Sequence, residues 1–158
     1  MSDPGEDLMR RAIALGAAHM RAGEGGPFGA VIVRDGKVIA EGSNKVTSSN
    51  DPTAHAEITA IRAACQALGS FSLDGCEIYS SCEPCPMCLG AIYWARLGAL
   101  YFANTRADAA AVGFDDDHIY REIPKPLSQR EIPTLRMRLP EAKELFDEWQ
   151  AMPDKVMY

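Results

Sequence analysis

Cys85 and Cys88, with two residues between them and Pro84 just before, constrain this chain more than any other feature. Two thiolates at that spacing reach one small cation from a single turn, and Zn–S bonds of about 2.3 Å require such closeness. The segment must therefore hold its backbone fixed and draw at least one further ligand from elsewhere. Cys82 extends the run to Ser81-Cys82-Glu83-Pro84-Cys85-Pro86-Met87-Cys88. An iron–sulfur run would place its fourth cysteine and a proline where this chain has Ile92 and Tyr93. The cysteines are five, an odd number, and Met1 to Arg10 is polar and acidic where a secretion signal is basic and then apolar. The expectation is a cytoplasmic protein whose thiols serve a metal and not disulfides.

The candidates for the remaining ligand are His55, His19, His118 and Cys82. Cys82 would complete a closed structural site with no open position and no catalysis. His55 sits in Pro52-Thr53-Ala54-His55-Ala56-Glu57, with a carboxylate two residues on. Residues two apart on a regular helix are about 200° apart around the axis. His55 and Glu57 can face one site only if His55 stands at an irregular first turn, which Asp51, Pro52 and Thr53 favour as cap and turn residues. Cys85 also heads a helix, and two helix N-termini aimed at one place stabilise thiolate charge. His-x-Glu followed by Pro-Cys-x-x-Cys is the signature of zinc deaminases.

Hydrophobic spacing places these residues on elements. Met9, Ala12, Ile13, Ala17 and Met20 predict a helix over Asp7 to Arg21. Phe28 to Val33 has the apolar continuity of a buried strand, and Asp35-Gly36 turns it into Lys37 to Ala40. A helix from Ala54 to Leu68 ends at Gly69. Strand Glu77 to Ser80, helix Cys85 to Arg96 and strand Ala99 to Ala103 form a βαβ unit, which implies parallel strands. Beyond it come a helix over Thr105 to Val112, a loop over Gly113 to His118, a proline-bearing connector over Arg121 to Pro133, and a closing helix over Leu139 to Met152. With 158 residues, 47% hydrophobic and 24% charged, the chain suits one domain over 1–158.

The chain resembles the cytidine-deaminase-like superfamily and, within it, the small bacterial guanine deaminases. The resemblance rests on Gly25 to Val33, Asn50 to Glu57, Ser81 to Arg96, Gly113 to Asp116 and the final Tyr158. It implies an α/β fold of three layers, α/β/α, around a mixed five-stranded sheet. It also implies one Zn²⁺ per chain held by His55, Cys85 and Cys88, with water at the open fourth position. Guanine would be converted to xanthine and ammonia in purine catabolism or salvage, by attack of the activated water on C2 with Glu57 shuttling the proton.

By the same resemblance Asn44 and Asp116 contact the purine, Phe28 packs against its ring, and Tyr158 with residues 140–158 covers the site. That cover comes from the same chain or from the partner in a swapped homodimer. tRNA adenosine deaminases share the zinc motifs but match less well around Cys82, Phe114 to Asp117 and the C-terminal end. Sixteen Lys and Arg against 22 Asp and Glu give a net charge of -6, which weighs against nucleic-acid and membrane partners. Guanosine or another free base or nucleoside is the rival substrate. A structural zinc module closed by Cys82 is the rival outside enzymes.

Overall fold

The computed structural model describes residues 3–158; Met1 and Ser2, the start of the polar opening segment, lie outside the described residues. The chain divides into two compact units, residues 1–117 and 118–158. The first contains helix α1 (Pro4–Arg21), strands β1 (Gly29–Arg34) and β2 (Lys37–Ser43), helices α2 (Val46–Ser49) and α3 (Ala56–Leu68), strand β3 (Glu77–Cys82), helix α4 (Pro86–Trp94), strand β4 (Ala99–Asn104) and helix α5 (Arg106–Ala111).

The sheet order is β2-β1-β3-β4. β1 runs antiparallel to β2 and β3, while β3 and β4 are parallel, as their connection through α4 requires. Among the described residues the sheet is mixed with four strands, which corrects the expected five. After β4 the chain goes directly into α5, whose start is fixed by a capping box between Thr105 and Asp108. The later connector carries Pro124, Pro126 and Pro133, which cannot donate to a ladder.

Strand alternation divides the apolar residues into two cores. Val31, Val33 and Tyr79 pack with Ala12 of α1 on one face. Ala30, Ile32 and Ile78 pack with Ala56, Ala60 and Ala64 of α3 and Ile92 of α4 on the other. These are the three layers, and they place the starts of α3 and α4 on the same side of the sheet. The approach of α3 is close enough to require glycine beneath it. A Cβ on Gly42 would lie 2.2 Å from the Ala56 carbonyl oxygen and 2.4 Å from the Ala60 nitrogen.

The second unit contains α6 (Asp117–Glu122), a 3₁₀ turn at Leu127–Gln129 and α7 (Pro140–Ala151). None of residues 118–158 is buried. His118 pairs with Glu131 at 2.8 Å, Lys125 with Glu122, and Lys143 with Asp147 at 2.6 Å. Among the described residues no helix is long and apolar enough to cross a membrane.

Candidate active site

His55 is the N-cap of α3 and Cys85 the N-cap of α4, both with extended backbone (φ -67°, ψ 158° and φ -65°, ψ 168°). Each cap stands off its helix, so the 200° separation of a regular helix does not apply between His55 and Glu57. Thr53 donates through its backbone N–H and its hydroxyl to Asp51, at 2.8 and 2.7 Å, which shapes the turn leading to His55. Pro86 at the first position of α4 does the same for Cys85, because its fixed φ suits a helix start and it has no N–H to leave unpaired.

These two starts bring three donor atoms together. His55 Nδ1 lies 3.5 Å from Cys85 Sγ and 3.5 Å from Cys88 Sγ. Ligand atoms of His55, Cys85 and Cys88 all fall within 4.8 Å of one another. One imidazole and two sulfurs form a donor set that fits zinc, and three protein ligands are the number a catalytic zinc site uses. Hydrogen bonding from the Cys88 thiol, with His55 alongside, holds Cys85 down to about 4. Cys85 is therefore a thiolate at neutral pH, the form that binds metal. The same interaction with Cys85, together with burial, pushes Cys88 up. The hydrogen bond to Cys85 raises His55.

Cys82 is not part of this convergence. Its thiol points to the Thr105 carbonyl, 3.8 Å away, and burial pushes its pKa up to about 11. A thiol aimed at the Thr105 carbonyl stands outside the group formed by His55, Cys85 and Cys88. His19 pairs with Glu24, and His118 belongs to the second unit. Among the described residues no fourth ligand atom joins these three.

Glu57, on the first turn of α3, is buried, with 6% of its surface exposed. Its Oε1 accepts from the Ser80 hydroxyl at 2.9 Å, and its Oε2 lies 3.3 Å from Cys88 Sγ. Burial raises its pKa. A carboxyl so held beside the three donor atoms is placed to take and return a proton.

The cluster opens on a cavity of about 550 Å³ whose lining includes Phe28, Asn44, Glu57, Glu83, Phe114 and Asp116. Asn44 Oδ1 accepts from the backbone N–H groups of Gly26 and Val46, at 3.2 and 3.1 Å. Its NH₂ is then the half available to donate into the cavity. Gly25 allows the contact, since a Cβ there would lie 2.1 Å from the Asn44 carbonyl oxygen. Phe28 meets Phe114 edge to face, with centroids 4.9 Å apart and planes at 83°. Burial raises the Asp116 pKa.

Phe28, Asn44 and Asp116 thus line the same cavity as His55, Glu57 and Cys85, whereas Tyr158 is exposed in the second unit. Sequence reasoning missed Glu83, which lines the cavity and pairs with Arg106 at 3.3 Å, and Ser80. Glu83 stood between two residues already singled out and could have been found from that adjacency. Ser80 had no signal beyond membership of a strand.

Residues 2–104 match the family described as the cytidine and deoxycytidylate deaminase zinc-binding region. Guanine deaminase from Bacillus subtilis strain 168 is 56% identical over 153 residues, 97% of this chain and 98% of its own length. An X-ray structure of B. subtilis guanine deaminase superposes with a TM-score of 0.95 at 54% identity, covering 100% of this chain and 99% of that one. A solved guanine deaminase from Nitrosomonas europaea gives a TM-score of 0.68 at 33% identity, over 81% of this chain and 70% of that one. A tRNA-specific adenosine deaminase from Agrobacterium fabrum is 49% identical over 86 residues, 54% of this chain and 57% of its own.

Proposed function

The chain belongs to the cytidine and deoxycytidylate deaminase zinc-binding family, and from that premise we propose that it hydrolyses guanine to xanthine and ammonia. The observation that carries the proposal is the extent of the likeness. Identity of 56% to a guanine deaminase runs over nearly the whole of both chains, whereas the likeness to the A. fabrum tRNA deaminase covers about half of each.

In this reading His55, Cys85 and Cys88 hold one zinc ion. When bound, zinc supplies the Lewis acidity that makes water a usable nucleophile near neutral pH. Glu57 takes the proton from that water and delivers it to the ring nitrogen beside C2. The ring carbon alone is a poor electrophile, and protonation must accompany attack. Glu57 then serves the departing amine, so that guanine and water leave as xanthine and ammonia. Asn44 donates to the purine carbonyl, Asp116 accepts from the N–H edge, and Phe28, backed by Phe114, packs against the ring.

The proposal extends to the second unit. Its apolar side chains find no core among residues 118–158. We assign residues 140–158, with Tyr158, to covering the cavity, from the same chain or from the partner in a swapped homodimer. The whole chain then serves as one cytoplasmic catalytic domain in purine breakdown, acting on a small molecule and on neither nucleic acid nor membrane.

Ammonia release by zinc-loaded protein against guanine, guanosine, cytosine, cytidine, adenine and tRNA tests the substrate. Guanine as the preferred substrate is the expected result, and turnover of tRNA or cytidine in its place would refute the proposal. Deleting Tyr158 should alter kcat or KM for guanine; unchanged values would remove the covering role.

A further inference from the structure

We propose that Ser80 is a positioning residue that sets which oxygen of Glu57 faces the reacting atoms, an inference that rests on Glu57 being the proton shuttle. Alternation along β3 sends Ile78 to the core shared with α3, and Ser80 follows two residues later on the same face. The intervening face is used differently. Tyr79 packs in the core with Ala12, and Ser81 Oγ accepts from the Gly29 N–H at 3.0 Å. Ser80 is 2% exposed, and a hydroxyl placed there is costly unless it is hydrogen bonded.

Its oxygen lies 2.9 Å from Glu57 Oε1 and 2.8 Å from the Cys82 carbonyl oxygen. With Oε1 tied to the strand, rotation about the last bond of the glutamate is fixed. Oε2 is left on the side of Cys88, 3.3 Å from its sulfur. A hydroxyl both donates and accepts. When Glu57 takes up a proton on Oε2, Oε1 still accepts from the Ser80 hydroxyl with no movement of heavy atoms. The contact therefore persists through a cycle in which the carboxyl gains and loses its proton. An apolar side chain at 80 would fill the space but leave the carboxyl free to turn.

The test is kcat and KM for guanine, with zinc content, for Ser80→Ala, Ser80→Thr and Ser80→Cys beside wild type and Glu57→Gln. Loss of a hydrogen bond to a charged group predicts that Ser80→Ala lowers kcat by about 10- to 100-fold, with KM changed by less than about twofold and zinc retained. Ser80→Thr keeps the hydroxyl and should recover kcat to within about threefold of wild type. Should the extra methyl prevent folding, Ser80→Cys, which keeps the volume and a weak donor, should fall between Ala and wild type. A zinc-loaded Ser80→Ala with kcat within about twofold of wild type, while Glu57→Gln is inactive, overturns the positioning role. Wild-type turnover by Glu57→Gln overturns instead the reading on which it rests.

Discussion

In residues 1–117 the large aliphatic side chains of Ile32, Leu73 and Ile78 are fully buried, while in residues 118–158 Ile132, Leu135 and Met137 are 78%, 88% and 81% exposed. The two units do not differ in having apolar residues. They differ in having a surface on which to bury them. A four-stranded sheet offers two faces, and α1 on one side with α3 and α4 on the other cover both. Residues 118–158 contain two helices, a 3₁₀ turn and three prolines between them, with no strand among the described residues. A rigid site needs the first kind of framework, because cap residues such as His55 and Cys85 are only as fixed as the helices behind them.

The comparison breaks most severely at the metal ligands. His55→Ala should leave the protein with less than one zinc per chain after dialysis and lower turnover by more than about 10³-fold, since the metal supplies several kcal/mol and each ~1.4 kcal/mol is a factor of ten. Metal analysis beside steady-state kinetics checks it. Chelator treatment of wild type should produce the same loss, restored by added zinc.

Core truncation comes next. Ile32→Ala should cost about 2–5 kcal/mol of unfolding free energy, as large-to-small changes in packed cores do. Phe146→Ala in α7, at 73% exposure, should stay within about 0.5 kcal/mol if nothing covers it. Denaturant titration of both variants sharpens the comparison. A large cost at Phe146 that grows with protein concentration would show that a partner chain buries this helix.

Cys82→Ala should have the smallest effect on metal, with one zinc per chain retained, because its thiol points to the Thr105 carbonyl and away from the three donor atoms. The sign of the pH effect is fixed by the same burial. Its pKa is raised to about 11, so the reactive thiolate is scarce at neutral pH and grows as pH rises toward that value. Alkylation of Cys82 in the zinc-loaded protein, followed by peptide mass, should be slow near pH 7 and accelerate at alkaline pH.

Much of this was legible because the sequence signals coincided with physical necessity. Cap residues before His55 and prolines around Cys85 announce where helices begin, and the helix starts are what bring the ligands together. Gly69 closes α3 where the pattern ended. Other features had no local signal. Helix α1 begins at Pro4, three residues before its apolar spacing becomes visible, because Asp3 caps Gly5 and Pro4 starts the helix unaided by a core. The four residues of α2 and six of α6 are too few to display a period. Ser80 shows its role only once the register of β3 turns it toward α3, and with no buried residue in 118–158 periodicity has no core face to mark there.

The central claim is that the cluster at the starts of α3 and α4 is a catalytic zinc site in which Glu57 moves the proton. The most direct test is ammonia and xanthine release from guanine by zinc-loaded wild type and Glu57→Gln, with zinc measured in both. The account predicts equal zinc in the two proteins, one xanthine per ammonia from wild type, and a loss in the variant of about 10²- to 10⁴-fold, the range that general acid–base groups contribute. Undiminished turnover by a zinc-loaded Glu57→Gln would contradict it.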